Sequence, residues 1–158
     1  MKITSLTELI RKNEYFLTRD LVMEIRENPD ITYYSTIHEE FLYDRIHHVL
    51  YHVYKRLPSW LSEGVSKNTL DNIYSEIGRQ RYREGIPVEE VVRVLFLIKR
   101  RICRYIAENA SVKYSELDLP VEFFSRMNLF FERMAGAVFS GYPGRTSPDG
   151  KTGSECCA

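Results

Sequence analysis

At 158 residues, with 44% hydrophobic and 28% charged side chains, the chain has the composition of one ordinary globular domain, large enough to bury a core. That profile excludes intrinsic disorder, and no apolar run approaches the roughly 20 residues that cross a bilayer. Lysine plus arginine equals aspartate plus glutamate at 22 each, so no net field attracts nucleic acid or an acidic partner.

The opening Met1-Lys2-Ile3-Thr4-Ser5 runs directly into a charged amphipathic pattern, unlike a signal peptide. The three cysteines, Cys103 and the adjacent Cys156 and Cys157, form no framework, and an odd count without a leader points to a reducing cytoplasm. Helical periodicity then begins at once. Ser5 and Glu8 have capping-box spacing, and Leu6, Ile10, Leu17, Leu21 and Ile25 form a stripe that predicts one helix to Glu27. Asn28-Pro29-Asp30 ends it, because proline disfavours helical geometry in the residue before it.

Thr36 and Glu39 make a second capping box ahead of a helix whose buried face is Leu42, Ile46, Val49, Leu50, Val53 and Leu57, with Pro58 closing it. A third, more polar helix is predicted from Ser66 to Glu84, with Leu70, Ile73, Tyr74 and Ile77 turned inward. Gly85 follows its end, where a left-handed residue satisfies the last carbonyls at least steric cost. Pro87 suits the first turn of a fourth helix, since the N–H it lacks would have no partner there.

That fourth helix, to about Asn109, is the most apolar: Val88, Val91, Val92, Leu95, Ile98, Ile102 and Ile106 share a face, which Val94, Phe96 and Leu97 widen. Asp118 and Pro120 open a fifth, running to about Ser140, with Phe124, Met127, Phe131, Met134 and Val138 in one stripe and Phe123 and Phe130 beside it. From Gly141 the composition turns to glycine, proline, serine and lysine. The prediction is an all-α domain over residues 1–142, a five- to six-helix bundle or globin-like arrangement, with a flexible tail over residues 143–158.

All four histidines, His38, His47, His48 and His52, fall in the second helix. His48 and His52 are one turn apart with Asp44 a turn earlier, a row that supplies part of a metal site or else a polar flank. His38 falls toward the core side, as a satisfied core histidine or an axial haem ligand. His38, Arg45, His48 and His52 are therefore the candidate ligand-binding residues. No metal site and no cofactor are assigned, and haem or metal sensing stays open as an alternative.

Catalytic signatures do not appear. Gly64, Gly78 and Gly85 lack the spacing of a phosphate loop, and there is no nucleophile elbow or catalytic carboxylate pair. Glu39-Glu40 and Glu89-Glu90 suit the helix dipole in first turns. A non-enzymatic protein is expected. Arg79, Arg81 and Arg83, with Lys99, Arg100, Arg101 and Arg104, invite a nucleic-acid reading, against which stands the balanced charge.

At the third junction the chain reads Gly78-Arg79-Gln80-Arg81-Tyr82-Arg83-Glu84-Gly85-Ile86-Pro87-Val88-Glu89-Glu90-Val91-Val92, followed by an apolar helix. This resembles the N-terminal sensory domain of the RsbR and RsbRD stress-response co-antagonists. The match of helix order covers roughly residues 5–142, with Gly78, Arg79, Arg81, Gly85 and Pro87 as its structural signature. Physically these residues make a helix junction, the glycine ending one helix, the proline starting the next and the arginines bracing the turn. The resemblance implies a globin-like or bundle fold, usually without haem, a homodimer, and a signalling role through a small molecule or protein partner. Such domains usually precede an effector such as a STAS or kinase domain. Here a short tail follows Tyr142, so a free-standing cytoplasmic module, or one acting in trans, is expected.

Overall fold

A computed structural model of the protein describes residues 3–59, 64–109 and 118–144. Among these it has six α-helices and no strand: α1 (Ile3–Lys12), α2 (Glu14–Glu27), α3 (Glu39–Arg56), α4 (Gly64–Arg83), α5 (Val88–Asn109) and α6 (Asp118–Gly141). Short 3-10 turns lie at Tyr34–Thr36 and Leu57–Ser59. The chain is one all-α domain. The predicted stripes form its core, with Leu6, Ile10, Leu21, Leu42, Leu50 and Phe131 all essentially inaccessible. The residues beyond 144, including Cys156 and Cys157, lie outside the described part.

The single first helix expected from periodicity is two helices. The Asn13 side-chain amide donates to the Leu9 carbonyl at 2.9 Å, taking the acceptor that Asn13's own N–H would use in a continuous helix. That N–H reaches the Ile10 carbonyl instead, at 3.2 Å. Asparagine competing for the backbone in this way is why it disfavours helix interiors. Both flanking stripes still bury, so the hydrophobic pattern runs through the break. Ser5 lies inside α1 rather than capping it, and Glu8 pairs with Arg11 one turn on.

The second predicted capping box is also displaced. Thr36 turns its hydroxyl back to the Tyr33 carbonyl at 2.7 Å. His38 is the residue that caps α3, its Nδ1 accepting from the Glu40 N–H at 3.4 Å. At the end of α4 the expectation holds. Gly85 has φ +79°, its N–H bonds the Tyr82 carbonyl at 3.0 Å, and the Ile86 N–H bonds the Arg81 carbonyl at 3.0 Å. This pair of bonds is the Schellman arrangement. Pro87 stands one residue ahead of α5, its carbonyl accepting from Glu90 and Val91. Phe96, expected to widen the buried face of α5, is exposed because it sits on the side that carries Arg93 and Arg100.

Two contacts position everything around the junction. First, α4 lies against α6 more extensively than any other helix pair, the two running in the same direction. Arg133 forks onto Asp71 at 2.8 and 2.5 Å, Ser75 meets Ser140 at 2.9 Å, and Gly78 and Gly141 bring the backbones together. A Cβ on Gly78 would collide with the Val138 carbonyl, and one on Gly141 with the Ser75 carbonyl. Second, Glu90, read from sequence as a helix-dipole residue, is 4% exposed and accepts the backbone N–H groups of Thr32, Tyr33 and Tyr34. A buried carboxylate ringed by N–H donors is a compensated charge. It ties the α2–α3 connection to α5.

Gly78→Ala should therefore cost about 2–3 kcal/mol, since rigid backbone must move to admit a methyl group. Gly85→Ala meets no neighbour within 4 Å and carries only the left-handed penalty of roughly 1 kcal/mol. Chemical denaturation of both variants checks the order; a Gly78→Ala protein as stable as Gly85→Ala would contradict the packing described.

Candidate functional site

Because α4 is held against α6, its opposite face looks toward α3 and α5 across a gap. That gap is a cavity of about 650 Å³, within the range of sites for drug-sized molecules. Its apolar floor includes Ile46, Val49, Ile73, Val94, Leu95 and Ile98, and its polar wall comes from α3 and α4. Among the sequence candidates, Arg45 and His48 line it, as does Arg81 from the junction signature.

His38 does not line it. It is exposed, resting edge-on against Phe41 with ring centres 6.1 Å apart. Extending the stripe backward from Leu42 predicts a core-side position, but residue 38 has ψ 139° and lies outside the helix. Helical phase ends before it. His52 is the reverse case. Placed by periodicity on a flank beside the stripe, it is 3% exposed, because Tyr74 of α4 covers that flank with ring centres 5.7 Å apart.

His48 and His52 meet, Nε2 to Nε2, at 3.0 Å. The Arg56 Nε–H donates to His52 Nδ1 at 3.1 Å, so that nitrogen carries no proton. His52 therefore holds its proton on Nε2 and gives it to His48 Nε2, and neutral His48 must keep its proton on Nδ1. The two imidazoles hold one another in a fixed direction. A metal on His52 Nε2 would require the proton on Nδ1, where it would oppose the Arg56 donor. Among the described residues, no group of three or more His, Cys, Asp or Glu side chains is arranged around an ion.

Burial pushes the His52 pKa down to about 4, assisted by the neighbouring His48 and by Arg56. His48 is lowered by burial first, then by His47 and Arg81. At neutral pH the pair is uncharged.

At the other end of the wall, Arg45 forks onto Glu84 at 2.9 and 2.8 Å, and Arg81 reaches the same carboxylate at 2.8 Å. Two guanidiniums thus share one counter-charge, which joins α3 to the residue that follows α4. Arg81 is 8% exposed and Tyr74 is 1% exposed. The Arg81 Nε and the Tyr74 hydroxyl are both buried without a partner. Each such donor costs about 1–3 kcal/mol. Burial raises the Tyr74 pKa, so its hydroxyl keeps its proton.

The remaining signature residues are structural. Gly78 makes the close approach to α6, while Gly85 and Pro87 make the junction. Arg79 pairs with Glu76 at 2.8 Å within its own helix and does not brace the turn. The basic edge of α5 is partly neutralised, Arg100 meeting Glu24 at 3.2 Å and Arg101 meeting Asp20 at 2.7 Å. Sequence reasoning did not single out Tyr34, Arg56, Tyr74 or Glu84 as site residues. The spacings 52/56, 81/84 and 74/81 on helix faces were visible signals for three of them. Tyr34, in a 3-10 turn, had none.

Fold and cavity together define an all-helical domain with a cavity between α3, α4 and α5. The chain belongs to the family of the RsbT co-antagonist protein rsbRD N-terminal domain, which it matches over residues 17–144. No match was found among curated proteins or among solved structures. No described helix is long and apolar enough to cross a membrane.

The lowered His52 pKa sets a pH dependence. The unfolded residue binds its proton near pH 6.5 and the folded one near pH 4, so this contribution is intact above about pH 6.5 and is lost as pH falls toward 4. The full span corresponds to roughly 3 kcal/mol. Urea unfolding at about pH 7.5 and about pH 5 should show that wild type loses more stability than His52→Gln. Equal losses in the two proteins would refute a buried, neutral His52.

Proposed function

We propose that this domain is a non-enzymatic sensor in stressosome-type signalling, which reports occupancy of the cavity between α3, α4 and α5 by a shift at the α4–α5 junction. The observation that supports this reading is the position of the cavity wall. Arg45 on α3 and Arg81 on α4 share Glu84, and Glu84 immediately precedes Gly85 and the start of α5. A guest touching Arg45 or Arg81 competes for that carboxylate and so acts on the junction itself. From there Glu90 grips the backbone of Thr32, Tyr33 and Tyr34, and Tyr34 in turn lines the cavity. Ligand-dependent change therefore has a short physical route between elements.

On this reading the domain works as a cytoplasmic homodimer whose output is read by a protein partner. A thermal-shift screen with compounds of varied charge and polarity should find ligands that raise the melting temperature. Hydrogen exchange should then show protection concentrated over residues 81–90. If no compound of any class stabilises the protein, or protection falls elsewhere, the sensing assignment fails. Light scattering should give twice the chain mass, and a strict monomer at high concentration would count against the dimer.

A further inference from the structure

The cavity lining is layered by exposure. Its mouth is polar: Asp44, His48, Asn72 and Gln80 are exposed, with Arg45 and Glu76 half-buried beside them. Its floor is aliphatic: Val91, Val94, Leu95 and Ile98 of α5, with Ile46 and Val49 of α3, are all buried. These six side chains carry no polar atom. Charge in the lining is balanced, with Arg45 and Arg81 against Asp44 and Glu76. Most of it is already engaged, since both arginines bond Glu84 and Glu76 pairs with Arg79. His48, with its lowered pKa, adds no charge near neutral pH.

Resting on the sensor reading above, we infer that the cavity binds an uncharged aliphatic molecule with one polar end, such as a medium-chain alcohol. Its chain lies on the α5 floor and its polar end at the mouth. Ions are poorly served here, because each loses hydration on entry. An anion would have to draw Arg45 or Arg81 from Glu84, exchanging one ion pair for another. A cation meets Asp44 only at an exposed position, where an ion pair contributes little, and beside Arg45. A hydroxyl donates and accepts, so it suits a mouth that mixes arginine donors with amide and carboxylate acceptors. The aliphatic floor supplies the affinity, about threefold to fourfold for each methylene removed from water.

Titration calorimetry of the full chain near neutral pH with hexanol, octanol, octanoate and octylamine tests this. Octanol should bind once per chain, at least about tenfold tighter than octanoate or octylamine, whose charged ends bring a desolvation cost. Its two extra methylenes should make it about tenfold tighter than hexanol. Nuclear Overhauser contacts from bound octanol should reach the methyl groups of Val91, Val94 and Ile98, which locates the guest without any substitution. Val94→Phe fills the floor with a ring; if it folds, its octanol affinity should fall at least about tenfold. Octanoate or octylamine binding as tightly as octanol, no gain from hexanol to octanol, several octanol molecules per chain, contacts that miss the floor, or an unchanged affinity in folded Val94→Phe would each overturn the inference. Should octanol be silent while ions stabilise the protein in the thermal screen, this inference falls and the sensor reading stands. Octanol seated on the floor without protection over residues 81–90 keeps the inference and removes the sensor reading. Silence from every class of compound removes both.

Discussion

The approach of α4 to α6 at Gly78 and Gly141 is the constraint on which the rest of the structure depends. Two backbones that touch without intervening side chains leave little freedom in how one helix lies on the other. The Arg133–Asp71 fork and the Ser75–Ser140 bond lie along the same seam and hold its register. With α4 committed to α6, its opposite face cannot also close onto α3, whose own stripe is spent on α1 and α2. The space left over is the cavity. It is a consequence of where the small residues are, and side chains such as Tyr74 and Arg81 reach into its wall because α4 is held back from it.

Much of the scaffold was legible in the sequence because helix formation here follows hydrophobic period. The stripes of α3, α5 and α6 bury as their spacing requires, and the Gly85–Pro87 junction forms the turn its residues dictate. The failures share a cause. Asn13, Thr36 and His38 are decided by hydrogen bonds between a side chain and nearby backbone, and several such bonds compete at each site. Composition does not rank them. Asn13 taking the Leu9 carbonyl, and His38 rather than Thr36 capping α3, are settled by geometry within a turn.

The candidate site was half legible for a different reason. Arg45, His48 and His52 lie on one side of α3 by simple spacing, but burial of that side depends on α4, thirty residues or so further along the chain. No periodicity within α3 distinguishes a flank facing water from one covered by Tyr74. Glu90 shows the same limit. Beside Glu89 in the first turn of α5 it looks like its neighbour, yet only Glu90 meets the exposed N–H groups at Thr32–Tyr34, which come from a separate segment. Long-range polar contacts of this kind leave no trace in local pattern.

Those contacts also decide which charges are already engaged around the cavity. Glu90 is spent on backbone donors, and Glu84 serves two arginines, so acids near the junction are consumed by structure. Asp44 and Glu76 stand with Arg45 and Arg81 in the lining, so the charges balance there as they do over the whole chain. Arg56 orders two imidazoles, since its bond to His52 decides which nitrogen of His48 keeps its proton. An arrangement with unpaired buried donors is less stable than the fold could be, by about 1–3 kcal/mol for each. Differential stability between empty and occupied states is what a binding event needs if it is to shift the equilibrium at the α4–α5 junction. Among the described residues, the two unpaired atoms of this region, the Arg81 Nε and the Tyr74 hydroxyl, both belong to α4 side chains in the cavity lining.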